Sequence, residues 1–131
     1  MQRSGSPIRA ASALRTPATF RLEGDVWTIA FGTELCRLRD SAGLRYLAAL
    51  LCRPGLKVLA ADLVVLAGAA DGPVRPDRER ARARVTHGIR TTMRRLALHH
   101  VALSEHLQAT ITTGTCCAYR PDPRRPVAWE L

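Results

Sequence analysis

The hydrophobic period of this chain changes abruptly at Asp40–Ser41, and that change limits what the chain can fold into. Before it, Trp27, Ile29 and Phe31 alternate with other residues, and Cys36 and Leu38 alternate with Arg37 and Arg39. A period of two belongs to strands with one buried face. Phe20 and Leu22 alternate in the same way, and Glu23-Gly24-Asp25 and Gly32-Thr33-Glu34 supply turns, so an antiparallel sheet is expected from Phe20. After the change, Leu44, Leu47, Ala48 and Leu51 fall at i, i+3, i+4 and i+7, the spacing of a helix face, with Asp40 or Ser41 as cap and Pro54-Gly55 as stop. Strands followed by helices within 131 residues, 47% of them hydrophobic, describe one α+β domain with enough apolar material for a core.

The same reading extends to the C-terminus. Val58 and Leu59 lead into a second helix around Asp62 to Ala67, which Gly68 stops, and GAADGPVRP at 68–76 is a loop. Asp77 is placed to cap a long helix running to about Leu98. At 100° per residue, Val85, Ile89, Met93 and Leu96 cluster within about 80° of arc and should face the core, with Arg80, Arg84, His87, Thr91, Arg94 and Arg95 opposite. Gly88 within that helix costs about 1 kcal/mol relative to Ala, which points to close approach of a neighbouring element or of a DNA backbone, packing within the protein being the favoured cause. Val101, Leu103 and Leu107 mark a shorter apolar turn or helix. Thr110 to Tyr119 reads as a hairpin around Gly114, and Val127, Trp129 and Leu131 alternate as a final strand after PDPRRP.

Charge is concentrated rather than spread. Twenty Lys and Arg against 11 Asp and Glu give +9, and 19 of the basic residues are arginines, Lys57 being the exception. Residues 1–22 carry +4 and residues 77–95 carry +5, while the remaining stretches cancel. Residues 1–19, rich in Ser, Ala, Arg and Pro, read as a disordered basic arm, leaving 20–131 as the folded domain. The long helix has no acid between Glu79 and Glu105, whereas a merely solvated helix usually interleaves acids at i+4. A sorted arginine face of this kind favours a polyanion such as nucleic acid.

Other chemistries find little support. Cys36, Cys52, Cys116 and Cys117 form no CxxC pair and no secretory leader is read, so reduced thiols in a cytoplasm are expected. The most apolar run, Leu56 to Ala70, is 15 residues long and interrupted by Lys57 and Asp62, too short for a membrane span. His87, His99, His100 and His106 with Cys116-Cys117 lack the spacing of a chelate, so neither metal nor cofactor is expected. Without a Gly-rich phosphate loop, a GxSxG elbow or converging carboxylates, no catalytic residue is assigned and the chain is not expected to be an enzyme. Trp27, Trp129, Tyr46 and Tyr119 read as core aromatics.

The order of elements, carried by VWTIAFGTELCRLRDSAGLRYLAALLCRPGLKVLAADLV at 26–65, the arginine-rich helix, and TITTGTCCAYRP at 110–121, resembles an OmpR/PhoB-type winged-helix DNA-binding domain. It is also similar to C-terminal modules of large bacterial regulatory ATPases. The resemblance implies an N-terminal antiparallel sheet, a three-helix core and a C-terminal β-hairpin wing. It departs from the pattern at the uncapped start of the second helix, at the apolar insertion 99–109, and in the longer spacing from Gly114 to Tyr119. It implies a bacterial transcriptional regulator whose helix 77–98 enters the major groove of double-stranded DNA, with RNA polymerase and a second copy of the chain as further candidate partners, and no membrane. The candidate DNA-binding residues are Arg80, Arg84, His87, Arg90, Thr91, Arg94 and Arg95 on the helix and Thr112, Thr113, Thr115 and Arg120 at the wing. The alternative is a protein-interaction module that turns the same face on an acidic partner or on RNA polymerase.

Overall fold

The computed structural model of the protein describes residues 15–68 and 77–131. The expected basic arm therefore lies outside the described residues over 1–14, as does the loop over 69–76. The described residues form an α+β fold, in which β1 (Thr16–Glu23), β2 (Val26–Phe31) and β3 (Glu34–Arg39) precede α1 (Ala42–Leu51), β4 (Val58–Leu59) and α2 (Ala60–Leu66). The order continues with α3 (Arg78–His99), α4 (Val101–Thr110), β5 (Ile111–Thr112), β6 (Cys116–Tyr119) and β7 (Val127–Glu130). No described helix is long and apolar enough to cross a membrane.

The first three strands form the antiparallel meander that the alternation requires, with Phe20 opposite Ile29 and Trp27 opposite Leu38. Gly24 and Gly32, at φ 72° and 66°, occupy the left-handed region that the two tight turns demand of a residue without Cβ. Two expectations need correction here. The sheet is not wholly antiparallel: β7 joins β1 in parallel, giving the order β3-β2-β1-β7. That pairing sets Thr16 beside Val127 and extends β1 through residues 16–19, which the sequence placed in the arm. A parallel partner so distant along the chain leaves no local pattern to read.

The helical layer also differs from expectation. Among the described residues it contains four helices rather than the three-helix core that the resemblance implies, because the insertion at 99–109 folds into the ten-residue α4. His100 makes this possible: its Nδ1 accepts from Leu103 N at 3.2 Å, capping α4, while its Nε2 lies 3.0 Å from the Phe31 carbonyl. An accepting Nδ1 leaves Nε2 to carry the proton and donate, so one buried ring ties the helix start to the end of β2. Ser41 caps α1, whereas Asp40 accepts from Trp27 Nε1 at 2.8 Å and from Arg45 in a forked pair, fastening the sheet to the first helix turn. Those bonds, Arg45 foremost, hold the Asp40 carboxyl below its ordinary pKa against the opposing effect of burial.

The missing cap of α2 is replaced by the hairpin. Ala60 N donates to the Thr115 carbonyl at 2.9 Å, and β4 pairs with β6, so β4, β6 and β5 form a second, three-stranded sheet. One core joins all layers: Phe20, Ile29 and Trp27 from the meander, Leu44 and Leu47 from α1, Leu63 from α2, Ile89 and Leu96 from α3, Leu103 and Leu107 from α4, and Tyr119 from β6. Burying one such side chain is worth about 1.5–3 kcal/mol, so this shared core fixes the orientation of every helix, α3 included.

Candidate nucleic-acid interface

α3 starts where the sequence supplies a cap: Asp77 accepts from Arg80 N at 3.0 Å, and Glu79 sits in the first turn, where the helix dipole favours a negative charge. Its 22 residues span about 33 Å. Ala81, Val85, Ile89, Thr92, Met93 and Leu96 are buried, forming the stripe that anchors it. The helix can lie close to α1 because two glycines face each other. A Cβ on Gly43 would stand 2.0 Å from Thr92 Oγ1 and 2.4 Å from the Gly88 carbonyl oxygen, and one on Gly88 would stand 3.1 Å from Tyr46 Cε2. Gly88 is thus explained by packing within the protein.

With the stripe pinned inward, the opposite face is turned to solvent. Arg80, Arg84, His87, Arg90, Thr91 and Arg94 are exposed, and Arg95 is half-buried at the edge of the ridge. In the first turns Arg80 lies 3.5 Å from Asp77 and Arg82 pairs with Glu79. Arg84 stands near the buried hydroxyl of Tyr46; burial raises the pKa of that hydroxyl, and the guanidinium partly opposes the rise. Arg78, Arg90, Arg94 and Arg95 have no carboxylate partner among the described residues. Three of these four, Arg90, Arg94 and Arg95, stand in the C-terminal half of α3, which holds no acidic residue.

The hairpin stands beside that half. Ile89, Arg90, Met93, Arg94, Gln108, Ile111 and Thr113 line a groove of about 400 Å³ between α3, α4 and β5. Its floor is apolar and its rim carries two guanidiniums, an amide and a hydroxyl. Thr113 is therefore brought to Arg90 and Arg94, while Thr112 and Thr115 are exposed but do not line the groove. Arg120 lies elsewhere, on a cavity between α4, the first sheet and the C-terminal loop. Gln108 has no local signal in the sequence. Placing it required knowing that 101–110 is a full helix with Leu103, Ser104 and Leu107 inward, which sets Gln108 on the flank facing α3.

The cysteines separate as strand alternation requires. Cys116 is exposed and Cys117 is buried, and burial pushes the Cys117 thiol up. Among the described residues no group of three or more His, Cys, Asp or Glu side chains is arranged to hold a metal ion. No family model, curated protein or solved structure matches this chain. What the arrangement can do follows from its geometry alone. A basic ridge about 33 Å long on a helix 10–12 Å across has the dimensions to lie in a major groove about 12 Å wide, and the rim of the 400 Å³ groove offers donors to phosphate oxygens.

Proposed function

We propose that this chain is a winged-helix protein of the OmpR/PhoB type that binds double-stranded DNA as a bacterial, cytoplasmic transcriptional regulator. In this reading α3 enters the major groove and β5–β6 acts as the wing. The observation that carries it is the pairing of opposites on α3: an apolar edge fixed in the core and an outward ridge on which Arg90 and Arg94 meet Thr113 with no carboxylate partner among the described residues. Arg90, Arg94 and Thr113 then hold the phosphate backbone beside the wing, Arg80 and Arg84 extend the contact toward the helix start, and His87 and Thr91 reach base edges. Thr112, Thr115 and Arg120 are peripheral in this arrangement.

Charge reversal at Arg90 and Arg94 tests the reading. Both side chains are exposed, so the fold should survive, and fluorescence anisotropy with a random-sequence duplex should show an affinity loss of at least about tenfold. Unchanged duplex affinity in the double variant would remove the assignment. A second reading, docking of a protein such as RNA polymerase, is favoured by Leu98 and Val101. They are 84% and 62% exposed at the α3–α4 junction, and Leu98 falls on the same helical face as Arg80 and Thr91. Leu98→Ser separates the two: the DNA reading expects duplex binding unchanged, and the protein reading expects polymerase capture lost.

A further inference from the structure

The segment PDPRRP, which connects β6 to β7, carries charge that the proposed interface does not use. Its backbone is held firmly. Arg124 N donates to the Asp122 carboxylate at 2.9 Å, Arg125 N to the Asp122 carbonyl at 2.9 Å, Arg120 N to the Thr110 carbonyl at 2.8 Å, and Thr16 N to the Pro126 carbonyl at 3.0 Å. Pro121, Pro123 and Pro126 further restrict it, with Pro123 following Asp122 in a turn for which that order is favoured. A loop tied down at both ends presents its side chains from fixed positions. Arg120, Arg124 and Arg125 all line one cavity of about 750 Å³, and none has a carboxylate partner among the described residues.

The opposite walls supply a different chemistry. Phe31 and His106, with ring centroids 5.2 Å apart and planes at 31°, line the cavity together with Glu105. The volume lies in the range of small-molecule sites, about 300–1,000 Å³. The cavity is on the side of α4 away from α3, since Leu103, Ser104 and Leu107 are turned inward and Ser104 Oγ donates to the Met93 carbonyl at 3.2 Å. A recess behind α4 is poorly placed for a duplex lying along the ridge. We infer that this cavity binds a small ring-bearing organic anion: Arg120, Arg124 and Arg125 take the anionic end, Phe31 and His106 pack on the ring, and Glu105 accepts from an amine or hydroxyl on it.

Adenosine monophosphate and 4-hydroxybenzoate share that chemistry and differ in the anion, phosphate against carboxylate, so both serve as probes of the intact chain, with inorganic phosphate as control. Amide NMR titration should show saturable shifts at Arg120, Arg124 and Arg125 for at least one ring-bearing probe, with Kd below about 1 mM. Arg124→Ala with Arg125→Ala should weaken that binding by about tenfold or more, and Arg90→Ala with Arg94→Ala should leave it within about twofold. Non-saturable shifts for both ring-bearing probes, equal binding of inorganic phosphate as an adventitious ion only, or equal weakening by the α3 variant would each overturn the inference. So would a loop variant that lowers duplex affinity as much as the α3 variant while neither probe binds, since the loop would then belong to the DNA surface.

Discussion

Gly43 and Gly88 show how a single missing carbon sets the position of α3. Gly43 admits no Cβ, because the atoms it would meet at 2.0 and 2.4 Å include the Gly88 backbone carbonyl, which cannot move without shifting α3. Gly43→Ala should therefore destabilise the fold by about 1–3 kcal/mol or more, measured by urea unfolding. Gly88→Ala meets the edge of the Tyr46 ring at 3.1 Å and the Gly43 Cα at an ordinary 3.7 Å and gains helix propensity, so its net effect should stay within about 1 kcal/mol of zero. Equal losses at both positions would contradict this asymmetry. Gly88 was legible in the sequence, since a glycine inside a strongly periodic helix stands out. Gly43 was not, because it falls in the first turn of α1 and its partners are far along the chain. The roles of Asp40 and Ser41 were legible only as a pair: both suit a cap, and the choice between them depends on Trp27 and Arg45, which tertiary structure brings to Asp40.

At the scale of elements, α4 is the piece that joins the two sheets. His106 on α4 lies 2.9 Å from the Tyr119 hydroxyl on β6, which accepts from Trp129 Nε1 on β7 at 3.1 Å. A tyrosine that accepts from Trp129 is free to donate to His106 Nε2, an arrangement that suits the neutral imidazole. Burial lowers the His106 pKa from its ordinary 6.5. The unfolded chain then takes up a proton from about pH 6.5 downward while the folded chain resists it, so stability falls as pH drops below that point and is unaffected by this group above it. Denaturation midpoints from pH 7.5 to 5 should show that fall, and His106→Gln should flatten it. A fall of the same size in the variant would assign the acid sensitivity to another group. The sequence marks 101–107 as a shorter apolar turn or helix and no further, because three leucine or valine positions do not distinguish one turn from three turns of helix. The strands of the meander were legible from alternation and turn glycines, whereas the parallel docking of β7, and with it residues 16–19 of β1, depends on contacts that have no local signature.

For the whole molecule, the net charge of +9 gains meaning from its distribution. The long helix could be read as two-faced from periodicity alone, and its buried residues are those of the expected stripe with Ala81 and Thr92 added. The groove shared by Arg90, Arg94, Gln108 and Thr113 could not be read, because it is made by the hairpin returning past α4. The separation of Arg120 from that groove has the same origin: β6 carries the chain from one side of α4 to the other. The proposed DNA binding requires the outward edge of α3 to exchange bound counterions for phosphates. Duplex affinity measured across a range of salt concentrations reads out that exchange: engagement of about five phosphates gives a slope of log K against log salt near −4.5. A slope close to that value is the expected result, and an affinity that does not change with salt would rule out phosphate engagement by α3.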